Sequence, residues 1–328
     1  MLRSGRRALA LLVVTAVAFS LMVPAAVAVK PLLPNEMGVR AYSYIEELTT
    51  YPRVAGTQGE VDAAHAIKGW FEEIGYAAEL QPFTYVRRGV TYSSQNVVAF
   101  SPAQRPARKG PKAGPTPLVV VGAHYDKVAV GKGADDNASG VGVVLELAER
   151  VARYRLPYDV VFIAFGAEEV GLRGASAYVN AMSDADKART LAMLNFDSLI
   201  TGDKLYVHAG QANGITWVRD EMMKYAERHK LPLEMQPGLN PDYPAGLSPG
   251  FSDVAVFDEA GIPVAGFEAT NWEIDDMDGY TQTEEFGSFW HTSKDDLAVI
   301  NELIPDRPMV RLEAFTRVSY EFLKHLKP

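Results

Sequence analysis

The sequence contains no cysteine, and only six of its 328 residues are histidine. The absence of cysteine excludes disulfides and thiolate ligands, so any metal site must consist of His, Asp and Glu. It also excludes lipid attachment through a cysteine side chain. An exported protein can lack disulfides, and this chain must then be stabilised by its core and by any metal that it binds.

Basic residues are in the minority, with 32 Lys and Arg against 41 Asp and Glu and a formal net charge of −9. A negative field of this size disfavours nucleic acid as a partner and favours a cationic substrate only weakly. Hydrophobic residues make up 48% of the chain and charged residues 22%. These proportions exclude a disordered or collagen-like protein.

One long apolar run lies at the N-terminus. Three arginines (Arg3, Arg6 and Arg7) precede an uncharged segment over residues 8–23, and Ala26-Val27-Ala28 fits an A-x-A cleavage pattern. The run is shorter than the roughly 20 residues of a membrane-spanning helix. The pattern therefore predicts a secretory signal peptide over residues 1–28 and no stable membrane anchor. We expect an exported protein, extracellular or periplasmic, whose residues 29–328 form a single domain.

Short apolar runs and helical periodicity alternate along the rest of the chain. The predicted strands are 78–85, 96–100, 118–122, 159–165, 191–196, 204–208 and 263–268. The predicted helices are 40–48, 59–74, 139–151, 171–179, 212–230 and 307–326. This order predicts an α/β fold, a three-layer αβα arrangement around a mostly parallel, doubly wound mixed sheet. Reactive residues should then lie just beyond the carboxyl ends of the strands.

Histidines and carboxylates do follow these strands or lie in later loops: His124, Asp126, Asp135, Asp136, Glu168, Glu169, Asp197, His291 and Asp295. Two divalent ions about 4 Å apart can share one carboxylate, and each ion then needs about two further protein ligands. Two imidazoles and three carboxylates meet that need: His124, Asp136, Glu169, Asp197 and His291. We expect two zinc ions, with Co²⁺ or Mn²⁺ as possible substitutes, because the same ligands suit several metals.

A further carboxylate must stay unligated to act as the general base. The adjacent residues Glu168 and Glu169 suit this division, because neighbouring side chains can point to different places. We expect Asp126 and Asp295 to orient the two imidazoles from behind. The other four histidines (His65, His208, His229 and His325) are interpreted as ordinary, and Asp135-Asp136 alone could be a helix N-cap.

Five segments together resemble the zinc-ligand motifs of the M28 peptidase family, in the same order and spacing: Gly122–Asp126, Gly133–Gly140, Ala167–Gly171, Asn195–Asp197 and His291–Asp295. The resemblance covers nearly the whole of residues 29–328 and implies a fold of the zinc-dependent exopeptidase type. It implies that Asp136 bridges the ions and that Glu168 is the base. His124 and Asp197 would bind one zinc, and Glu169 and His291 the other. It also implies a cis peptide bond after Asp136, and peptide or protein N-termini as substrates of an aminopeptidase.

Residues 268–290 contain five acids before Thr281 and are expected to form part of the S1 pocket, where they would favour a basic side chain. An exposed acidic loop is the alternative. Two other functions remain open. A carboxypeptidase would need a basic residue for the substrate carboxylate, with Arg53 and Arg173 as candidates. A non-catalytic binding domain would typically lack ligands, whereas all five are present here. The sequence does not determine the oligomeric state.

Overall fold

The computed structural model describes residues 36–103, 114–248 and 250–328, so the predicted signal peptide lies outside the described residues. The strands are β1 (Ala77–Arg87), β2 (Val90–Ser101), β3 (Leu118–His124), β4 (Asp159–Phe165), β5 (Thr190–Phe196), β6 (Lys204–Gly210), β7 (Leu233–Glu234), β8 (Leu247–Ser248) and β9 (Val264–Thr270). The helices are α1 (Val39–Leu48), α2 (Gln58–Ile74), α3 (Gly140–Val151), α4 (Arg173–Ala181), α5 (Asp184–Arg189), α6 (Trp217–His229), α7 (Val254–Glu259), α8 (Leu297–Leu303) and α9 (Arg307–His325).

The strands form one mixed sheet in the order β1-β2-β4-β3-β5-β9-β6-β7, with β8 paired to β6. The four central strands β4, β3, β5 and β9 are parallel to one another. Strand β2 pairs with β4 in the antiparallel sense, and β6 pairs with β9 in the same way. The prediction of an α/β fold with a mostly parallel mixed sheet is therefore confirmed.

Helices cover both faces of this sheet, as alternate side chains of β3 show. Val119 and Val121 pack into a hydrophobic cluster that also contains residues of α1, α2, α3, α6 and α9. Leu118 and Val120 pack into a second cluster with residues of α4 and α7. Because successive side chains of a strand point to opposite faces, the two clusters lie on opposite sides of the sheet. This arrangement produces the three layers, and it explains why β3 is apolar at nearly every position.

Strand β2 begins earlier than predicted, at Val90 and not at residue 96, because its first half is mostly polar and carries no apolar run. Strand β2 pairs with β4 only over residues 97–101, where Val97 lies opposite Ala164 near the carboxyl end of β4. Residues 90–96 therefore extend past that end of the sheet. Within the part of the chain that the structure describes, no helix has both the length and the apolar character of a membrane span.

Candidate metal centre

The predicted site residues meet at the carboxyl ends of the central strands. His124 ends β3, Glu168 and Glu169 follow β4, and Asp197 follows β5 directly. Asp136 lies in the irregular turn Ala134–Ser139, which precedes α3 and contains a cis peptide bond between Asp136 and Asn137. His291 lies in the connection between β9 and α8. The edge of the sheet that the strand pattern predicts is thus the edge on which these side chains gather.

Asp136 belongs to two groups of donor atoms, and in each group the atoms lie within 4.8 Å of one another. In the first group, His124 Nε2 lies 3.2 Å from Asp136 Oδ1 and 3.3 Å from Asp197 Oδ1. In the second, His291 Nε2 lies 3.1 Å from Asp136 Oδ2 and 3.0 Å from Glu169 Oε2. Asp136 therefore presents one carboxylate oxygen to each group, as a carboxylate between two ions would.

The spacing and the chemistry of these atoms fit zinc. Ligand atoms about 2.0–2.1 Å from a zinc ion in a tetrahedral arrangement are about 3.3 Å apart, close to the separations in both groups. Imidazole nitrogens and carboxylate oxygens are also among the donors that zinc takes in proteins. Each group supplies three donors, which leaves a position for water or substrate.

The pKa shifts of the site residues indicate that positive charge stabilises the carboxylates of the site. Hydrogen bonds to Asp136 and Glu169 raise the pKa of His291 to about 11. Burial alone would lower the pKa of His124, but the carboxylates of Asp197 and Glu168 raise it well above its ordinary value. Burial raises and the two imidazoles lower the pKa of Asp136, and the net result is a lowered pKa. A bound cation would relieve the repulsion among these carboxylates.

Glu168 lines the same cleft but belongs to neither donor group. Burial raises the pKa of Glu168 well above its ordinary value, and the nearby carboxylates of Asp253 and Asp197 raise it further, whereas His124 lowers it. A carboxylate with a raised pKa can accept a proton and release it again near neutral pH. Its position therefore differs from that of the neighbouring Glu169, whose carboxylate belongs to the second donor group.

Asp126 and Asp295 accept hydrogen bonds from the backbone of the segments that carry candidate ligands. The carboxylate of Asp126 accepts the N–H groups of Glu168 at 2.9 Å and Glu169 at 3.2 Å. Its Oδ1 also lies 3.6 Å from Nδ1 of His124. The carboxylate of Asp295 accepts the N–H groups of Asp135 at 2.6 Å and Asp136 at 3.2 Å.

The structure gives the carboxylate of Asp295 a further task, and its role in orienting His291 stays a prediction. Two consecutive amides of the turn that carries Asp136 occupy both oxygens of the Asp295 carboxylate. Among the described residues, His291 makes its side-chain contacts with Asp136 and Glu169. Asp295 stabilises the turn behind the donor groups, and it acts on Asp136 through the backbone.

A cleft of about 310 Å³ opens beside the two donor groups. Apart from the candidate ligands, its lining includes acidic and aromatic side chains: Glu268, Asp278, Phe251, Tyr280 and Trp290. His208, which the sequence pattern indicated to be ordinary, also lines it. Its Nε2 lies 2.7 Å from Glu268 Oε1, and that oxygen also accepts a hydrogen bond from Trp272 Nε1 at 2.6 Å. No local motif marks His208, because only the antiparallel pairing of β6 with β9 brings it near Glu268.

The acidic segment 268–290 contributes to this cleft only in part. Of its five acids before Thr281, Glu268 and Asp278 line the cleft. Glu273 forms an ion pair with Lys204, and Asp275 and Asp276 are exposed. The exposed-loop interpretation therefore holds for residues 273–276, and the pocket interpretation has support at Glu268 and Asp278.

Neither arginine that a carboxypeptidase would need lines the cleft. Arg53 is fully buried, and its guanidinium donates to the backbone carbonyls of Leu48, Lys132 and Gly133. Burial lowers the pKa of Arg53 to about 10. Arg173 is exposed and donates to the carbonyl of Val170. Among the described residues, no Lys or Arg lines the cleft, so a substrate carboxylate would find neither of these side chains as a partner there.

Two further polar side chains lie near the site, and the sequence analysis assigned neither of them a role. Asp253 is fully buried, and neither of its carboxylate oxygens has a hydrogen-bond partner within the described ranges. Asn195 lines the cleft, donates to Ser252 Oγ at 3.0 Å, and leaves its Oδ1 without a partner there. Asp253 belongs to no strand, helix or motif that the sequence analysis named, and Asn195 entered it only as part of the predicted strand 191–196 and of Asn195–Asp197, so burial beside the site draws attention to both.

Residues 106–307 of the chain match the family model described as Peptidase family M28. The chain is 33% identical over 306 residues to the alkaline phosphatase isozyme conversion protein of Escherichia coli, covering 85% of this chain and 87% of that one. It is also 33% identical over 242 residues to an aminopeptidase of Bacillus subtilis, covering 72% of this chain and 46% of that one.

Solved structures share the fold at lower identity. A zinc aminopeptidase from Bacillus subtilis superimposes with a TM-score of 0.70 at 20% identity, covering 89% of this chain and 97% of that one. A glutaminyl cyclase from Fimbriiglobus ruber gives 0.64 at 18% identity, covering 89% and 97%. The fold therefore supports more than one reaction, whereas the family match covers more than half of the sequence. The chain belongs to peptidase family M28, and it is a metallo-aminopeptidase-type hydrolase.

Proposed function

We propose that this protein is an exported aminopeptidase that binds two zinc ions, removes single N-terminal residues from peptides or proteins, and prefers basic ones. The observation that carries the proposal is the pair of donor groups that share Asp136, with the unligated Glu168 beside them in one cleft. Export rests on the signal-peptide pattern of residues 1–28 alone.

The residues divide between the two ions as the donor groups do. His124 and Asp197 would hold one zinc, Glu169 and His291 the other, and Asp136 would hold both. When bound, the ions would supply a water of lowered pKa and an electrophile for the scissile carbonyl. Co²⁺ or Mn²⁺ could replace zinc at these ligands.

Glu168 is the proposed general base. Its carboxylate accepts a proton from the attacking water and later delivers that proton to the nitrogen of the leaving amine. Burial, which raises the pKa of Glu168, suits both halves of this task because the same group must accept and then donate. Asp126 supports the transfer by holding the backbone N–H of Glu168 at 2.9 Å.

The charge of the cleft favours a free N-terminus. Carboxylates outside the donor groups, those of Glu168, Glu268 and Asp278, line it, and they would attract the α-ammonium group of a substrate. A C-terminal carboxylate would meet these same negative charges without a Lys or Arg partner among the described residues of the lining. We therefore favour aminopeptidase over carboxypeptidase action.

A basic first residue would find two kinds of partner. Glu268 and Asp278 supply negative charge, and His208 and Trp272 hold the Glu268 carboxylate in place. Phe251, Tyr280 and Trp290 form a chain of edge-to-face rings, with centroids 5.8 and 6.0 Å apart. A guanidinium or ammonium group can bind over such rings as well as to carboxylates.

The test is hydrolysis of aminoacyl-p-nitroanilides of Arg, Lys and Leu, each free and N-acetylated, with and without a chelator. We expect turnover of the free-amine substrates only, its loss on chelation and its return with Zn²⁺, with Arg and Lys faster than Leu. Metal analysis should give two zinc ions per chain. Turnover that resists chelation, or acetylated substrates cleaved as fast as free ones, would contradict the proposal.

A further inference from the structure

Four consecutive backbone N–H groups, those of residues 166–169, lead from β4 into the pair Glu168-Glu169. Each of them donates to a side chain that is buried. The acceptors, in the order of the donors, are Asn96 Oδ1, Glu60 Oε1, Asp126 Oδ1 and Asp126 Oδ2, at 3.2, 3.1, 2.9 and 3.2 Å. The turn that aims Glu168 into the cleft is thus held by three side chains and not by a regular hydrogen-bond ladder.

The turn needs this support because its backbone is unfavourable. Ala167 has a φ of 53°, a left-handed conformation that is unfavourable for a residue with a Cβ atom. Gly166 lies so close to β2 that a Cβ atom there would be 2.5 Å from Ser94 Oγ and 2.6 Å from the carbonyl oxygen of Gln95. Such a conformation persists only where the surrounding structure enforces it.

Glu60 connects this turn to two other parts of the fold. Its Oε1 accepts the N–H of Ala167 and, at 2.6 Å, the hydroxyl of Ser94 in β2. Its Oε2 accepts the N–H of Gly56 at 2.6 Å, in the loop before α2. The side chain is fully buried, but it does not line the cleft and belongs to neither donor group.

The chemistry of a carboxylate matches these three contacts. All three partners donate, and an ionised carboxylate offers only acceptors. Burial of a carboxylate costs free energy, and no Lys, Arg or His within the described ranges forms an ion pair with Glu60. The free-energy cost of burying Glu60 is therefore incurred beside Ala167, the residue before Glu168.

We propose that Glu60 is a positioning residue for Glu168: it holds Ala167 in the left-handed conformation and so sets the direction in which Glu168 enters the cleft. The inference rests on the proposed function, because it takes Glu168 as the group that transfers the proton. A displacement of about 1 Å in a reacting group can cost on the order of 100-fold in rate.

The first variant is Glu60→Gln. Glutamine has the same size, but its NH₂ group would face one of the three donors. We expect kcat to fall by about 10- to 100-fold while KM changes less than about 2-fold. Zinc content should equal that of the wild type, because Glu60 touches no candidate ligand side chain. If this variant does not fold, Glu60→Asp keeps the charge but shortens the reach, and the same split between kcat and KM is expected.

Glu146→Gln is the matched control. Glu146 is also fully buried and accepts two backbone N–H groups, those of Gly38 at 3.0 Å and Ala41 at 2.9 Å. These contacts join α3 to α1, away from the cleft. The control should lose thermal stability and keep its kcat. Equal kcat in Glu60→Gln and wild type, or equal losses of kcat in the two variants, would overturn the proposal, as would a loss of zinc from Glu60→Gln.

Glu168→Gln separates this inference from the proposed function. If Glu168→Gln abolishes turnover while Glu60→Gln behaves like the control, the base assignment stands and the role of Glu60 falls. If Glu168→Gln retains the wild-type kcat, the base assignment itself is wrong, and with it the positioning role. The expected result is a large loss for Glu168→Gln and an intermediate loss for Glu60→Gln.

Discussion

At the scale of single residues, the two imidazoles have separate tasks. His291 contacts only the second donor group, through Asp136 and Glu169. We expect His291→Ala to lower bound zinc from two ions per chain to about one, and kcat/KM to fall at least about 100-fold. His325→Ala is the control, since His325 forms an ion pair with Glu321 at the C-terminal end of α9. Metal analysis by mass spectrometry would contradict the assignment if both variants kept two ions.

The proposed role of Glu268 in selecting basic residues can be tested in the same way. Glu268→Gln keeps the size of the side chain and removes its charge from the cleft. We expect the ratio of kcat/KM for Arg over Leu p-nitroanilide to fall about 10-fold, because a charge-assisted contact is lost. Glu273→Gln, which alters an acid paired with Lys204, should leave that ratio unchanged. Equal ratios in both variants would show that Glu268 does not select basic residues.

Glu60 also predicts how stability depends on pH. Burial raises its pKa to about 7 from an ordinary 4.5, the charge of Asp126 adds to the effect, and the hydrogen bond from Ser94 opposes it. The folded protein thus binds this proton more tightly than the unfolded chain does. The protonation of Glu60 therefore contributes stability below about pH 4.5, and this contribution is lost as the pH rises through 7.

The measurement is urea unfolding of the zinc-free wild type and Glu60→Gln between pH 4.5 and 8. As the pH rises over that range, the free energy of unfolding of the wild type should fall relative to that of Glu60→Gln by up to about 3 kcal/mol. A difference that does not vary with pH would show that the pKa of Glu60 is not raised in the folded protein.

At the scale of elements, the site is built where regular structure stops. Five residues at or beside the site have left-handed backbone conformations without being glycine: Ala167, Leu172, Ser198, Ser252 and His291. Each lies in a connection between elements, where hydrogen bonds from side chains replace those of a helix or strand. Such conformations concentrate at functional sites, since geometry there serves the reaction more than stability.

Ala167 provides the test of this view. A β-branched residue is strongly disfavoured at a φ of 53°, so Ala167→Val should lower the free energy of unfolding by about 2 kcal/mol or more and reduce kcat. Ala167→Gly permits the same conformation and should be close to wild type in stability. Thermal denaturation and steady-state kinetics of both variants decide the matter. Equal behaviour of Val and Gly would show that the turn is not constrained.

Most strands and helices were predicted within a few residues, because apolar runs and helical periodicity reflect burial directly. The short helices α5, α7 and α8 were missed, since six or seven residues carry too little periodicity to recognise. The first half of β2, residues 90–95, was missed for a different reason. It extends beyond the sheet and alternates polar residues with few apolar ones, so it has the composition of a loop.

At the scale of the whole molecule, the chain has no disulfide to stabilise its site-bearing loops. A cluster of buried carboxylates around two imidazoles destabilises the metal-free fold, and bound zinc adds stability in proportion to its affinity. We therefore expect a chelator to lower the melting temperature by several degrees, and stoichiometric Zn²⁺ to restore it. Mg²⁺ at the same concentration, which prefers oxygen ligands, should not. An unchanged melting temperature on chelation would contradict zinc binding at this site.

The sequence by itself determined the fold class and the donor set. Both depend on local properties: the apolar runs that make buried strands, and the order of His, Asp and Glu just after them. Tertiary structure alone decided which partners these groups have. Asp295 holds the turn at Asp135 and Asp136, about 160 positions away. His208 enters the cleft through an antiparallel pairing, Arg53 is buried away from it, and Glu60 reaches Ala167 across 107 positions. Contacts between such distant segments arise only when the sheet assembles, so no local pattern records them.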